Sequence, residues 1–203
     1  VPDQSTYTYG SIVQLTATAD VGWTFSHWSG DLLGSDNPVT LVIIGNMSVT
    51  ATFTQDNYTL TVNVLGNGSV SKNPDKATYI YDETVTLTAS ADVGWSFAGW
   101  SGDLSGSDNP ATIIMTGNKT VTATFTQNEY TLTVTVSPEG SGSVSLNNTG
   151  PYYYGDVVEL TAVPSIGWSF SGWSEDLSGN DNPTTIIMDD NKSVTAIFTQ
   201  DQY

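Results

Sequence analysis

The residues of this chain that could do chemistry gather in one recurring stretch. Asp31 and Asp36 recur as Asp103 and Asp108, and again as Asp176 and Asp181, with Asn37, Asn109 and Asn182 following. Clustered Asp, Asn and backbone carbonyl oxygens are what calcium accepts, roughly six to eight ligands in a flexible shell. The spacing is not that of an EF-hand loop. The same residue types also close turns through side-chain to backbone hydrogen bonds. Both uses are open, and calcium is the one candidate cofactor. Catalysis has less to work with. The single histidine, His27, is not repeated, and there is no cysteine. A thiolate nucleophile and a His-pair or Cys zinc site are therefore absent. Two carboxylates suffice for a glycosidase, but the recurring ones lie in a polar loop, so no enzyme is expected.

Two other residue sets carry potential sites. Asn-x-Ser/Thr occurs at Asn46, Asn57, Asn67, Asn118, Asn147 and Asn191. These are glycosylation candidates if the chain is secreted. The pattern also arises from Asn/Thr-rich turns, and Asn46, Asn118 and Asn191 occupy equivalent positions. The second set is aromatic. Trp23, Phe25 and Trp28 recur as Trp95, Phe97 and Trp100 and as Trp168, Phe170 and Trp173. Such residues supply bulk to small cores. Trp28, Trp100 and Trp173 have small polar neighbours, so they are also candidates for stacking against sugar rings, one exposed indole per repeat. The first Trp and the Phe read more firmly as core.

The elements that must position these residues form a repeat. Gly22 through Leu32 is matched by Gly94 through Leu104 and Gly167 through Leu177, at spacings of 72 and 73 residues. Glu175 stands where the other copies have Gly30 and Gly102. Val49 through Gln55 is matched by Val121 through Gln127 and Val194 through Gln200. Within a repeat, apolar residues alternate with Thr, as in Leu132-Thr133-Val134-Thr135-Val136, which is the pattern of a half-buried strand. No stripe of period 3.6 is sustained, so long helices are not expected. Each repeat reads as four to six short strands. Gly66-Asn67-Gly68-Ser69 and Gly140-Ser141-Gly142-Ser143 read as the turns of a hairpin joining the first two strands. The expected modules are residues 1–56, 57–128 and 129–203.

The first module lacks the opening strands that begin at Tyr58 and Tyr130 in the others. The chain ends at Tyr203, where a further opening strand would start. Two readings follow: a segment of a longer array, or a subunit completed by a strand from a neighbour. The joints Phe53–Tyr58 and Phe125–Tyr130 contain no flexible Gly/Ser linker.

Composition narrows the partners. The 203 residues carry 21 Asp and Glu against 4 basic residues, all Lys, for a formal charge of -17. Nucleic acid demands clustered positive charge, so it is excluded as a partner. Aromatics at 11% separate the chain from acidic disordered tails. No apolar run approaches the roughly 18 residues of a membrane span.

The motif set resembles the divergent internalin-B B-repeat family, the Listeria–Bacteroides type of bacterial repeat. The resemblance rests on Tyr130-x-Leu132-x-Val134, Gly140-x-Gly142-Ser143-Val144 and Tyr152-x-x-Gly155-x-x-Val158-x-Leu160-Thr161-Ala162. It continues through Gly94-Trp95-x-Phe97-x-Gly99-Trp100-Ser101-Gly102 and Asn118-Lys119-x-Val121-Thr122-Ala123-x-Phe125. His27 departs from it, standing where Gly99 and Gly172 stand. The resemblance implies a mainly β chain, a tandem array of small β-grasp-like, sheet-dominated modules. It also implies an extracellular or cell-surface stalk, adhesin segment or filament subunit without catalytic residues. Its expected partners are neighbouring repeats, copies of itself, or surface glycans and proteins.

Overall fold

The computed structural model describes residues 6–202; the first five residues of the first module and Tyr203 lie outside the described residues. Every regular element among them is a β-strand. Contacts cluster into two compact units whose borders fall inside the middle repeat. One holds the described residues up to Asn63 with Val70–Thr88 and Trp100–Thr122. The other holds Val64–Ser69, Ala89–Gly99 and the described residues from Ala123 onward.

The last module displays the plan in full. Lys192–Gln200 is the central strand of one sheet, with Leu132–Ser137 parallel on one side and Trp168–Glu175 antiparallel on the other. Asp156–Pro164 is central in a second sheet, antiparallel to both Gly142–Leu146 and Thr184–Met188. The alternation read from sequence sends Val158, Leu160 and Ala162 from one sheet, and Trp173, Val194, Ala196 and Phe198 from the other, into a single buried cluster. Two small sheets thus close over one core, and the Thr-rich alternate positions face water. No helix completes a β-grasp among the described residues. The middle module repeats the strand order, with Lys119–Gln127 between Leu60–Leu65 and Trp95–Gly102.

The glycine-rich links are not hairpins. Leu132–Ser137 and Gly142–Leu146 belong to different sheets, so the chain crosses from one layer to the other between them. The reason is steric. A Cβ at Gly142 would stand 2.5 Å from the Phe198 ring and 2.7 Å from the Val163 carbonyl oxygen. At Gly68 it would stand 2.7 Å from the Phe125 ring. These glycines let the backbone pass directly over a core phenylalanine, a close approach closed to any side chain. The turn is held by Ser141, which is fully buried and bonded to the Pro138 carbonyl through both its amide and its hydroxyl.

Among the described residues the first module has the same later strands, two of the three strands of each sheet. Trp23–Gly30 pairs with Val49–Gln55, and Ile12–Leu15 pairs with Val39–Val42, each as a two-stranded sheet.

The Gly30-to-Glu175 exchange has a structural cost. Glu175 has a φ of 76°, as Gly30 and Gly102 have φ of 91° and 92°. An added Cβ at Gly30 would lie 2.3 Å from the Ser48 carbonyl oxygen, and at Gly102 2.5 Å from that of Thr120. Left-handed backbone is strained for a residue with a side chain. Glu175→Gly is therefore expected to stabilise the last module by about 1 kcal/mol. Thermal melting checks this, and an unchanged or lower Tm would refute it.

Candidate functional site

The Trp motif and the acidic loop form one assembly in each repeat. The strand that carries the motif is broken by a bulge. Phe25 pairs with Phe53 and His27 with Thr52, so Ser26 is extra; Phe170 and Gly172 show the same shift. This bulge settles a phase problem. Residues three apart in a regular strand point to opposite faces. One extra residue restores Phe25 and Trp28 to the same face, and their rings lie 5.1 Å apart. Phe170 and Trp173 lie 5.0 Å apart.

The loop then folds back over the indole. The amides of Trp28, Trp100 and Trp173 donate to the carbonyls of Gly34, Gly106 and Gly179. Their Nε1 groups donate to the carbonyls of Asp36, Asp108 and Asp181 at 2.9, 2.8 and 2.9 Å. Asn37 clasps both backbone groups of Ala17, just beyond Ile12–Leu15, and Asn182 clasps those of Ala162, tying the loop of the last module to the second sheet.

This geometry corrects the sugar-platform reading. Trp28, Trp100 and Trp173 are 6%, 5% and 4% exposed, so they offer no face to a ligand. A polar flank in sequence marks the loop that covers each indole, and the indole N–H is satisfied by that loop, as a buried Trp requires. The order of the two tryptophans is also reversed from expectation. Trp95 and Trp168 are half-buried and Trp23 is 42% exposed.

The loop acids have defined structural partners. Asp31 receives the amide of Ser48 on its carboxylate at 2.7 Å, Asp103 that of Thr120 at 2.6 Å and Asp176 that of Ser193 at 2.7 Å. Each also donates its own amide to the carbonyl of the same residue. Asp36, Asp108 and Asp181 contribute main-chain carbonyls to the indoles. Among the described residues, no three His, Asp or Glu side chains converge as a metal-binding group. Asp103→Ala is expected to cost about 1 kcal/mol, because the amide of Thr120 loses a charged acceptor. Urea unfolding reads this; Asp103→Asn, which keeps an acceptor, should lose less.

All six sequon asparagines are exposed. The Oδ1 of Asn118 accepts from the amide and hydroxyl of Thr59, and that of Asn191 from those of Thr131. These side chains clamp the start of each opening strand to the turn before each closing strand. The Oδ1 of Asn147 accepts from the amide of Glu159, while Asn57 donates Nδ2 to Gln55. Turn chemistry explains the equivalence of Asn118 and Asn191, and it leaves Nδ2 of each unbonded. Asn67 contributes its carbonyl to Asp92.

The joints between modules were visible in sequence only as short connections. Asp56 donates its amide to the Gly22 carbonyl at 2.8 Å and accepts the Thr24 hydroxyl at 2.6 Å. Asn128 repeats both contacts with Gly94 and Ser96, and Asp201 with Gly167 and Ser169. Gly22 also lies so close to Tyr81 of the next module that a Cβ would meet its Cβ at 2.3 Å. Gly94 and Tyr154 stand in the same relation at 2.4 Å.

Charge is nearly all of one sign. The four lysines are each paired, Lys72 with Asp75, Lys76 with Glu83, Lys119 with Asp103 and Lys192 with Asp189. The hydrogen bond from Lys192 holds the Asp189 carboxyl below its usual range and raises the Lys192 ammonium. These pairs are at the surface and contribute little stability.

The sequence pattern of the divergent InlB B-repeat domain matches residues 1–57, 58–129 and 132–202. None of the curated proteins compared matches the chain. With three tandem matches across almost its whole length, and the Trp-loop core built alike in each repeat, the chain belongs to the divergent InlB B-repeat family.

Proposed function

We propose that this chain is a non-enzymatic extracellular spacer, a stretch of stiffly jointed modules in a cell-surface stalk, adhesin or filament. Its family is typically found in bacterial surface proteins. The observation that carries the reading is the joint. Each connecting residue, Asp56 or Asn128, is bonded through both main chain and side chain to the module before it. A tyrosine of the next module packs against a glycine of that same turn. A connection pinned in this way transmits force and holds distance, as a Gly/Ser tether would not. The indoles of Trp28, Trp100 and Trp173 and the side chains of Asp31, Asp103, Asp176, Asn37 and Asn182 are engaged in holding the loop. The unbalanced acidity keeps such an array soluble and resists non-specific association.

Backbone NMR relaxation tests the joint: the amides of Asp56 and Asn128 should show order parameters near the roughly 0.85 of rigid backbone. Values below about 0.6 would sink the spacer reading. Immunogold labelling of intact cells tests the location. Glycosylation of the exposed sequon asparagines belongs to the same proposal, and an intact mass equal to that of the bare native chain would remove it.

A further inference from the structure

The opening and closing strands of a complete module lie side by side. In the last module Leu132–Ser137 pairs with Lys192–Gln200 from Leu132 opposite Lys192 to Ser137 opposite Ile197, and the two run parallel. The start of the pair is fastened. The Lys192 amide donates to the Thr131 carbonyl, and the amide and hydroxyl of Thr131 donate to Asn191 Oδ1. Further along, the Thr135 and Thr195 hydroxyls bond to each other at 2.5 Å. The middle module shows the same two marks of a parallel pair. The Lys119 amide donates to the Thr59 carbonyl, just before Leu60–Leu65. Just past that strand, a Cβ on Gly66 would stand 2.3 Å from the Phe125 carbonyl oxygen.

This order sets how a module meets tension. Load along the chain enters at the start of the opening strand and leaves at the end of the closing strand. Between parallel neighbours these two points lie at opposite ends of the ladder. Pulling them apart slides one strand along the other, so the evenly spaced main-chain bonds are strained together. Pulling both strands from the same end breaks those bonds one after another. Sliding also meets two obstacles. Leu132, Val134 and Val136 pack against the core cluster, and a slip of one residue would turn the Thr and Ser of the strand toward it. Beyond the strand, the backbone at Gly142 passes over the Phe198 ring, where a Cβ would stand 2.5 Å away. Drawing the opening strand out by one residue brings Ser143 to that place, and its side chain does not clear the ring. Gly68, Ser69 and Phe125 repeat the arrangement in the middle module.

We infer that each complete module is a directional mechanical clamp. Its parallel opening and closing strands, latched by the glycine crossing, bear tension along the chain and yield to tension applied across the pair. The closing strand is held from its other side as well, by Trp168–Glu175. Just past its end, Asp201 is bonded through its amide to Gly167 and through its carboxylate to Ser169. The exit of the chain is therefore fixed to the same sheet, and load reaches the parallel ladder along its length. The rate of forced unfolding, rather than equilibrium stability, is the quantity such a ladder controls. The role of the clamp as a load-bearing element rests on the spacer reading; its directionality rests on the strand order alone.

Single-molecule force spectroscopy on the full chain tests this. The chain has no cysteine, so introduced pairs give unique attachment points. Glu129→Cys with Gln202→Cys loads the pair in shear. Glu139→Cys with Gln202→Cys peels it from the end, and Glu129→Cys with Asp190→Cys peels it from the start. All four positions are exposed. At one pulling speed, the shear pair should rupture the last module at about twice the force of either peeling pair, or more. A shear pair that ruptures at no higher force than the peeling pairs would overturn the clamp. That outcome is separable from failure of the spacer reading. Rigid amides at Asp56 and Asn128 with direction-independent rupture remove the clamp and keep the spacer. Mobile amides there with direction-dependent rupture remove the spacer and keep the clamp.

Discussion

Trp173→Ala is expected to destabilise the last module by about 3–5 kcal/mol, the largest single-residue effect in the chain. Three losses combine. The indole is 4% exposed and sits in the cluster built by both sheets, so truncation leaves a cavity that strands on either side cannot readily close. Its tilted contact with Phe170 disappears. The Asp181 carbonyl loses the Nε1 donor that pins the loop, and an acceptor left without its partner adds to the cost where water cannot reach it. Urea unfolding followed by circular dichroism checks the value. Trp173→Phe separates the terms: it keeps most of the apolar contact and should recover roughly half of the loss. Trp168→Ala, at a half-buried position, should cost less than Trp173→Ala. Equal effects at the two positions would contradict the assignment of the second tryptophan as the core.

Gly94→Ala is expected to cost about 2–4 kcal/mol and to loosen the joint between the middle and last modules. Gly94 has a φ of 79°, and an added Cβ would lie 2.4 Å from Tyr154 Cβ and 3.0 Å from its Cγ. The overlap is with the root of the tyrosine rather than its mobile tip, so a rotamer change cannot relieve it. Either the tyrosine retreats or the turn shifts, and a shift disturbs the Gly94 carbonyl that accepts from Asn128. Gly167→Ala is the matched control. Its φ is 81°, but nothing lies within 4 Å of the added Cβ. It should pay only the backbone term of about 1–2 kcal/mol. The difference between the two Tm shifts isolates the module contact, and faster exchange at the Asn128 amide should accompany Gly94→Ala alone. Equal shifts would mean that Tyr154 plays no part in the joint.

Local alternation was enough to recognise Val158-x-Leu160-x-Ala162 and Val194-x-Ala196-x-Phe198 as strands with one buried face, because a period of two is a property of the extended backbone itself. The family was likewise legible, since its motifs are short and contiguous. The Asp and Asn of the loop were legible only as a choice between turn and calcium chemistry. The odd spacing of Phe25 and Trp28 held a signal that pointed to a bulge, because two aromatics three residues apart cannot share a face of a regular strand.

Other features depended on which strands meet. Gly142 looks like a hairpin residue from its neighbours alone; its actual role is set by Phe198, far along the chain, whose ring it must clear. The burial of Trp173 rather than Trp168 is decided by a loop that returns over one indole and not the other. The joint at Gly94 and Tyr154 brings together residues from two repeats, and no repeat inspected alone contains it. The amino-acid order by itself determined the repeat, the strands and which face of each is apolar, because these follow from nearest-neighbour sterics and periodicity. Sheet pairing and the crossing over the core were decided only in three dimensions. They depend on long-range backbone hydrogen bonds and side-chain contacts between segments that the sequence does not place side by side.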